Sequence, residues 1–225
     1  MDERIIWFSQ RAYDHYGHPN YLPAKDGQTE VEVPELRDAA IERGRRLERG
    51  ELVPAEEFPD EFCIRRRDAS KKLGMPIFGL NEVCVRKDVA DVMRGFDLGR
   101  TILKPVTMRS ERGEINEDYL LLATANNRPT IDDARSEPVF VTAVRRSMLT
   151  SRDTLVHPGV MALPSALEGP DLWTDPQVSR TLFLSDPLAQ ALIEAGFNKG
   201  RLGGMALKQV RVDGPAVQSA NEETI

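Results

Sequence analysis

The chain has little of what would hold a fold together covalently or through a metal. Its 225 residues include two cysteines, Cys63 and Cys84, and three histidines. Two cysteines do not make the dense disulfide framework of a small secreted domain. Each stands among apolar or strand-like neighbours, so both read as reduced core residues, and the sequence leaves open whether they pair. His15 and His18 are three apart on a polar stretch, but two imidazoles are not a metal site. A third ligand would have to come from Asp14, Asp26 or distant His157. No run approaches the roughly 18 apolar residues that cross a bilayer, and no charged start followed by an apolar stretch precedes Trp7, which predicts a cytoplasmic protein.

The signatures of catalysis are equally thin. Ser165 lies in Pro164-Ser165-Ala166 without the flanking glycines of a nucleophile elbow, so His157 has no hydroxyl set up to activate. Gly200-Arg201-Leu202-Gly203-Gly204 follows a predicted helix instead of preceding one, so no helix N-terminus points at an anion there. The adjacent carboxylates Glu56-Glu57, Asp60-Glu61 and Asp132-Asp133 diverge in direction and read as solvated charges. Arg45-Arg46 and Arg65-Arg66-Arg67 read as salt-bridged surface. Nothing implies a cofactor.

What is present is an ordinary globular composition, 40% hydrophobic and 29% charged with a net charge of -6. That apolar content suffices for one large domain or two small ones. The negative balance argues against nucleic-acid backbones and anionic membranes as partners and suits a basic one, although solubility alone accounts for mild acidity.

Periodicity places a first strand at residues 4–9, an irregular loop over 13–28, a helix over 35–47 ended by Gly50, and a return to strand over 58–66. Residues 119–123 form a short apolar strand before the turn-prone Asn126-Asn127-Arg128-Pro129, and 139–144 is the most β-like run. Leu182-Phe183-Leu184 leads into a helix from Pro187, capped by Ser185 or Asp186, with Leu188, Ala191, Leu192 and Ala195 on its apolar face and Gly196 as its stop. Residues 205–212 end as a strand. Val83-Cys84-Val85, the helix through Met93, Gly95-Phe96, Gly99 and the apolar run 101–108 repeat this pattern faintly, which suggests two similar strand-helix-strand units. Strands outnumber helices and do not alternate with them strictly, so the expected class is α+β, a mixed and largely antiparallel sheet packed with several helices. We place a boundary near residue 76, giving an N-terminal region 1–76, an α+β domain 77–213 and a fraying tail 214–225, with 1–213 as one continuous domain the alternative.

Three stretches, Leu172-Trp173-Thr174-Asp175-Pro176, Leu182-Phe183-Leu184-Ser185-Asp186 and Glu194-Ala195-Gly196-Phe197, resemble the C-terminal signature of a bacterial family of immunity proteins from polymorphic toxin systems. Phe96-Asp97-Leu98-Gly99, Lys104-Pro105-Val106 and Asp118-Tyr119-Leu120-Leu121-Leu122 are similar to its other weak motifs, so the likeness spans about residues 83–212. These motifs are not chemically demanding and mark a fold sooner than an activity. The resemblance implies a non-enzymatic cytoplasmic protein that binds and occludes a cognate toxin.

On that expectation, Glu56, Glu57, Asp60, Glu61, Asp132 and Asp133 are the candidate contacts with basic groups of the toxin, and Trp173 or Tyr21 a candidate apolar anchor. Trp173 has a rival role, which we favour, as a core plug. The alternatives are a small-molecule-binding domain or enzyme with a scattered site, for instance His157 with Asp153 and Arg152, and an assembly module with a symmetric apolar patch.

Overall fold

The computed structural model describes residues 4–9, 21–25, 28–29, 33–64, 76–79, 82–109, 115–137, 156–178, 181–198 and 205–212. His15, His18, Arg152, Asp153, residues 65–67, 139–144 and 200–204 and the tail from 214 lie outside the described residues. In chain order the elements are β1 (Arg4–Ser9), β2 (Tyr21–Lys25), β3 (Gln28–Thr29), α1 (Pro34–Glu48), β4 (Glu61–Ile64), β5 (Ile77–Gly79), β6 (Val83–Arg86), α2 (Lys87–Met93), β7 (Thr101–Arg109), β8 (Ile115–Thr124), β9 (Val156–Ala162), β10 (Leu172–Trp173), β11 (Leu182–Ser185), α3 (Asp186–Glu194) and β12 (Leu207–Val212). The class is α+β, with the strands divided between two sheets instead of one. The first has the order β10-β11-β1-β12-β9, the second β3-β2-β4-β7-β8-β6-β5. Pairing is antiparallel except for β4 with β7 and β9 with β12.

Local signals explain most of these elements. α1 begins with Pro34 in its first turn and ends before Gly50, whose φ is +74°. In α3 the Ser185 hydroxyl accepts from the Leu188 amide at 3.4 Å, so Ser185 is the cap, and Gly196 at φ +86° ends the turn. The buried positions of α3 are Leu188, Ala189 and Leu192. Ala195, expected on that face, is exposed because it lies past the last helical residue. Residues 13–28 are not wholly irregular, since β2 and β3 form a hairpin and β2 also pairs with β4. Pro23 hid this strand, because proline withholds an amide from any ladder.

The two strand-helix-strand units share the same ladder connections. β6 and β7 flank β8, and β11 and β12 flank β1, in each case antiparallel to the central strand. Val83 pairs with Leu122 and so does Leu103, while Leu182 pairs with Ser9 and so does Leu207. The match carries outward: β5 sits on β6 as β10 sits on β11, and β4 runs parallel to β7 as β9 does to β12, with register shifts between Val106 and Met108 against β8 and between Gln209 and Arg211 against β9. In this register Leu103-Lys104-Pro105-Val106 coincides with Leu207-Lys208-Gln209-Val210. Val89, Ala90 and Met93 of α2 are buried at the positions that Leu188, Ala189 and Leu192 occupy in α3. The two units thus repeat one topology, and the second takes its central strand, β1, from the opposite end of the polypeptide.

One core joins the copies. Trp7, Val85, Met93, Leu122, Leu184 and Leu192 belong to a single buried cluster contributed by both sheets and by α2 and α3, which pack on each other. The outer face of the first sheet buries Ile6, Phe8, Trp173, Phe183 and Val210. The outer face of the second buries Phe62, Met108, Tyr119 and Leu121, with Phe58 and Leu47 laid over them. No disulfide joins Cys63 and Cys84. They lie on β4 and β6, three strand spacings or about 14 Å apart across the sheet, beyond the reach of a bridge. No helix among the described residues is long and apolar enough to cross a membrane.

Two outcomes follow. Val212 lies opposite Arg4, so a hairpin loop can join them directly. A chain with residues 1–9 moved behind residue 213 on a short Gly/Ser loop is expected to fold with the same circular dichroism and to unfold cooperatively within about 1–2 kcal/mol of the parent. Absence of a cooperative transition would count against β1 as the central strand beside β12. Gly99 has φ +52°, and a methyl there would meet Pro170 Cγ at 2.5 Å and Asn126 Oδ1 at 2.8 Å. Gly99→Ala is expected to lower stability by about 2 kcal/mol or more in a denaturant titration.

Candidate functional site

α1 is anchored by polar ties more than by apolar area. Of its 15 residues only Ala40 and Arg43 are buried. Arg43 Nε and Nη2 both donate to Glu82 Oε1, at 2.8 and 2.5 Å, and Nη1 donates to the Glu57 carbonyl at 3.0 Å. The two side chains are 9% and 5% exposed, so this is an ion pair in the interior, with the guanidinium 5.6 Å from the Phe58 ring centroid. One turn on, at the C-terminal end, Asn127 Nδ2 donates to the carbonyls of Leu47 (2.8 Å), which also accepts from the Gly50 amide, and Glu48 (2.7 Å), in the turn whose carbonyls lack intrahelical partners. The Thr174 hydroxyl donates to Asn127 Oδ1 at 2.5 Å and orients that amide.

Beneath α1 lies a cavity of about 310 Å³. Its roof is Ala40, Ile41, Arg43 and Gly44, and its floor is the end of β8 from Leu121 to Thr124. Glu82-Val83 and Thr181-Leu182, equivalent positions of the two copies, meet at it, and residues 174–178 close the far wall. It thus sits where the copies join, a common place for ligand pockets. Gly44 is notable because a Cβ there would meet nothing within 4 Å. Neither crowding nor a positive φ demands glycine in this helix, where it costs about 1 kcal/mol relative to alanine.

Asp175 is 4% exposed and lines the same cavity. Its Oδ2 accepts from the amides of Thr130 (2.8 Å) and Ile131 (3.4 Å), its Oδ1 from that of Gln177 (2.8 Å). These amides hold the carboxylate in place. Among the described residues no cation lies within ion-pair reach of it. Cys84, on β6, carries a thiol that burial and the charge of Glu82 push well above its ordinary range, so it stays protonated.

The expected contact residues are dispersed. Glu56, Glu57 and Asp60 are exposed in the stretch that follows α1. Glu57 pairs with Arg46 at 2.5 Å and Asp60 with Lys104 at 2.8 Å. Glu61 turns into the second sheet and holds Arg109 through both oxygens, at 3.0 and 3.2 Å. Asp133 is exposed, but its neighbour Asp132 is buried and accepts from the amides of Ala134 and Arg135, capping its own turn. Asp132 is therefore not a surface carboxylate. Trp173 is fully buried, stacked on Phe183 at 5.9 Å with its Nε1 donating to Thr130 Oγ1 at 2.8 Å. It is the core plug and offers no surface to a partner. Ser165 is exposed on the short helical turn Pro164–Leu167, and Tyr21 opens β2.

Sequence reading missed Arg43, Glu82 and Asp175, which converge from positions 39 and 93 residues apart. Two signals pointed there: an unforced glycine in the middle of a helix, and an Asp-Pro step inside an otherwise apolar motif. Among the described residues no three of His, Cys, Asp and Glu are grouped so that they could hold a metal ion.

Breaking the buried pair on one side leaves an uncompensated charge. Arg43→Met is expected to cost about 3–5 kcal/mol in equilibrium unfolding, and adding Glu82→Gln to recover most of it. Equal instability of the single and double variants would show that the pair is not what holds α1. No family model matches the chain, and no curated protein matches it.

Proposed function

We propose that the protein is a toxin-neutralising immunity protein that works by occlusion, presenting the surface of α1 and the stretch behind it to a basic partner. The observation that carries this reading is the distribution of charge. Residues 33–61 hold nine carboxylates against five arginines, a net of -4 out of the chain's -6. Ile41 and Leu52 are exposed in this stretch, 39% and 50%, and offer apolar anchoring points among the charges. The resemblance of residues 172–197 to immunity proteins supports it too: those residues build the scaffold behind this surface through Trp173, Phe183, Leu184, Leu188 and Leu192. A scaffold of this kind leaves specificity to the exposed face, which is where an inhibitor fitted to a variable partner needs it. The cavity favours a second reading, a small-molecule-binding domain.

Co-expression with the toxic protein encoded beside it should restore growth, and the purified pair should form a complex. Glu56→Lys with Asp60→Lys is expected to slow association about tenfold at low salt, with the difference shrinking as salt is added, whereas Leu52→Asp is expected to speed dissociation. The absence of both rescue and complex would defeat the proposal.

A further inference from the structure

The cavity beneath α1 is built for an occupant. Two independent observations say so. Asp175 is a 4% exposed carboxylate on its wall, fixed by three amides but facing no cation among the described residues. Buried charges are ordinarily paired, and amide dipoles alone supply only partial positive charge. Gly44, on the roof, keeps space open that alanine would narrow without meeting any protein atom. The remaining buried charges of the lining, Arg43 and Glu82, neutralise each other. The rim adds one of each sign, Arg45 and Glu48. The balance inside is therefore one uncompensated negative charge among apolar walls of Val83, Leu122, Val178 and Leu182.

From this the geometry points to a receptor for a single cationic side chain, an arginine or lysine of the partner protein, with Asp175 as its counter-ion and the apolar walls enclosing its stem. The inference rests on the proposed function for the source of the cation and on the cavity alone for its chemistry. It gives the acidic face above a specific role: the charge of residues 33–61 draws the basic surface in, and the cavity fixes one residue of it. Gly44 sets the width available to the stem.

The test uses the full chain and a defined probe, N-acetyl-arginine N-methylamide, followed through backbone amide shifts by NMR. Saturable shifts clustered at Val83, Thr124 and Val178 are expected, with the neutral citrulline analogue binding about tenfold more weakly. Gly44→Ala is expected to raise the melting temperature by roughly 2 to 4 °C while weakening the probe severalfold, a combination that a purely structural glycine would not give. Asp175→Asn, if it folds, is expected to abolish the preference for arginine over citrulline. Shifts that do not saturate, equal affinity for citrulline, or a Gly44→Ala variant that binds as before would overturn the inference. Growth rescue by a chain whose cavity ignores arginine would sink the pocket and leave the immunity reading standing. Arginine binding without rescue would do the reverse.

Discussion

Residues 4–9 meet residues 182–185 and 207–212 in the middle of the first sheet, and β1 bonds to a neighbour on each side. β11 and β12 run in the same direction with a strand's width between them, so without β1 they share no ladder, and Ile6, Trp7 and Phe8 leave both faces of the sheet unfilled. Trp7 enters the core common to both copies, while Ile6 and Phe8 enter the outer one. Its Nε1 also donates to Asp186 Oδ1 at 2.7 Å, tying the start of the chain to the start of α3. Closing so long a loop costs conformational entropy that only the completed sheet returns, which makes docking of β1 a condition for the second copy and a late step in folding.

Beside the shared apolar core, the seam between the copies carries a polar network, and that is what makes it specific. Asn126 Nδ2 donates to the carbonyls of Leu98 and Leu172, both at 2.8 Å, while its Oδ1 accepts from the Arg100 amide at 2.8 Å. Asp171 accepts from the Asp97 amide at 2.9 Å and from the Ser185 hydroxyl. One amide and one carboxylate thus connect the turn after α2 to the strand before α3. Arg128 lies beside them with its guanidinium 3.5 Å from the Trp173 ring centroid and Nη2 donating to the Pro170 carbonyl at 2.8 Å. Burial pulls its pKa down to about 10, so it remains charged at neutral pH and relies on the indole face for part of the solvation that water would have supplied. Such bonds have one satisfactory arrangement, and apolar packing alone would not fix the relative position of the two copies so narrowly.

Local elements were legible in the sequence because their causes are local. The run Arg4-Ile5-Ile6-Trp7-Phe8-Ser9, the serine cap of α3 and the glycine stop at 196 each act within a few residues. The repeated topology was visible only where helix and Gly-Phe turn coincide. The correspondence of Leu103-Lys104-Pro105-Val106 with Leu207-Lys208-Gln209-Val210 needs the strand register to align it, since the helices and turns before them differ in length. The division into two sheets was invisible for the same reason, because nothing in residues 4–9 announces partners near residue 210. The cavity was illegible because Arg43, Glu82 and Asp175 are brought together by tertiary structure, and each alone has the look of an ordinary surface charge.

The construction of α1 follows from its position over that cavity. A helix that merely covered the second sheet would gain most by presenting leucine or isoleucine inward, since each such side chain contributes about 1.5–3 kcal/mol on burial. α1 instead buries fully only an alanine and an arginine, with Leu47 half-buried near its end, and a buried ion pair often returns no more than a well-packed apolar substitute of the same volume. Stability is thus not what this arrangement maximises. What the arginine provides is a fixed point: Nε, Nη1 and Nη2 held by Glu82 and the Glu57 carbonyl set the rotation of the helix about its axis, and the Asn127 amide sets its C-terminal end. These two ties lie one turn apart in the C-terminal half of the helix, where Leu47 also packs on the cluster that includes Leu121 and Ala123 of the floor, so directional bonds and that one apolar contact together hold α1 above the cavity.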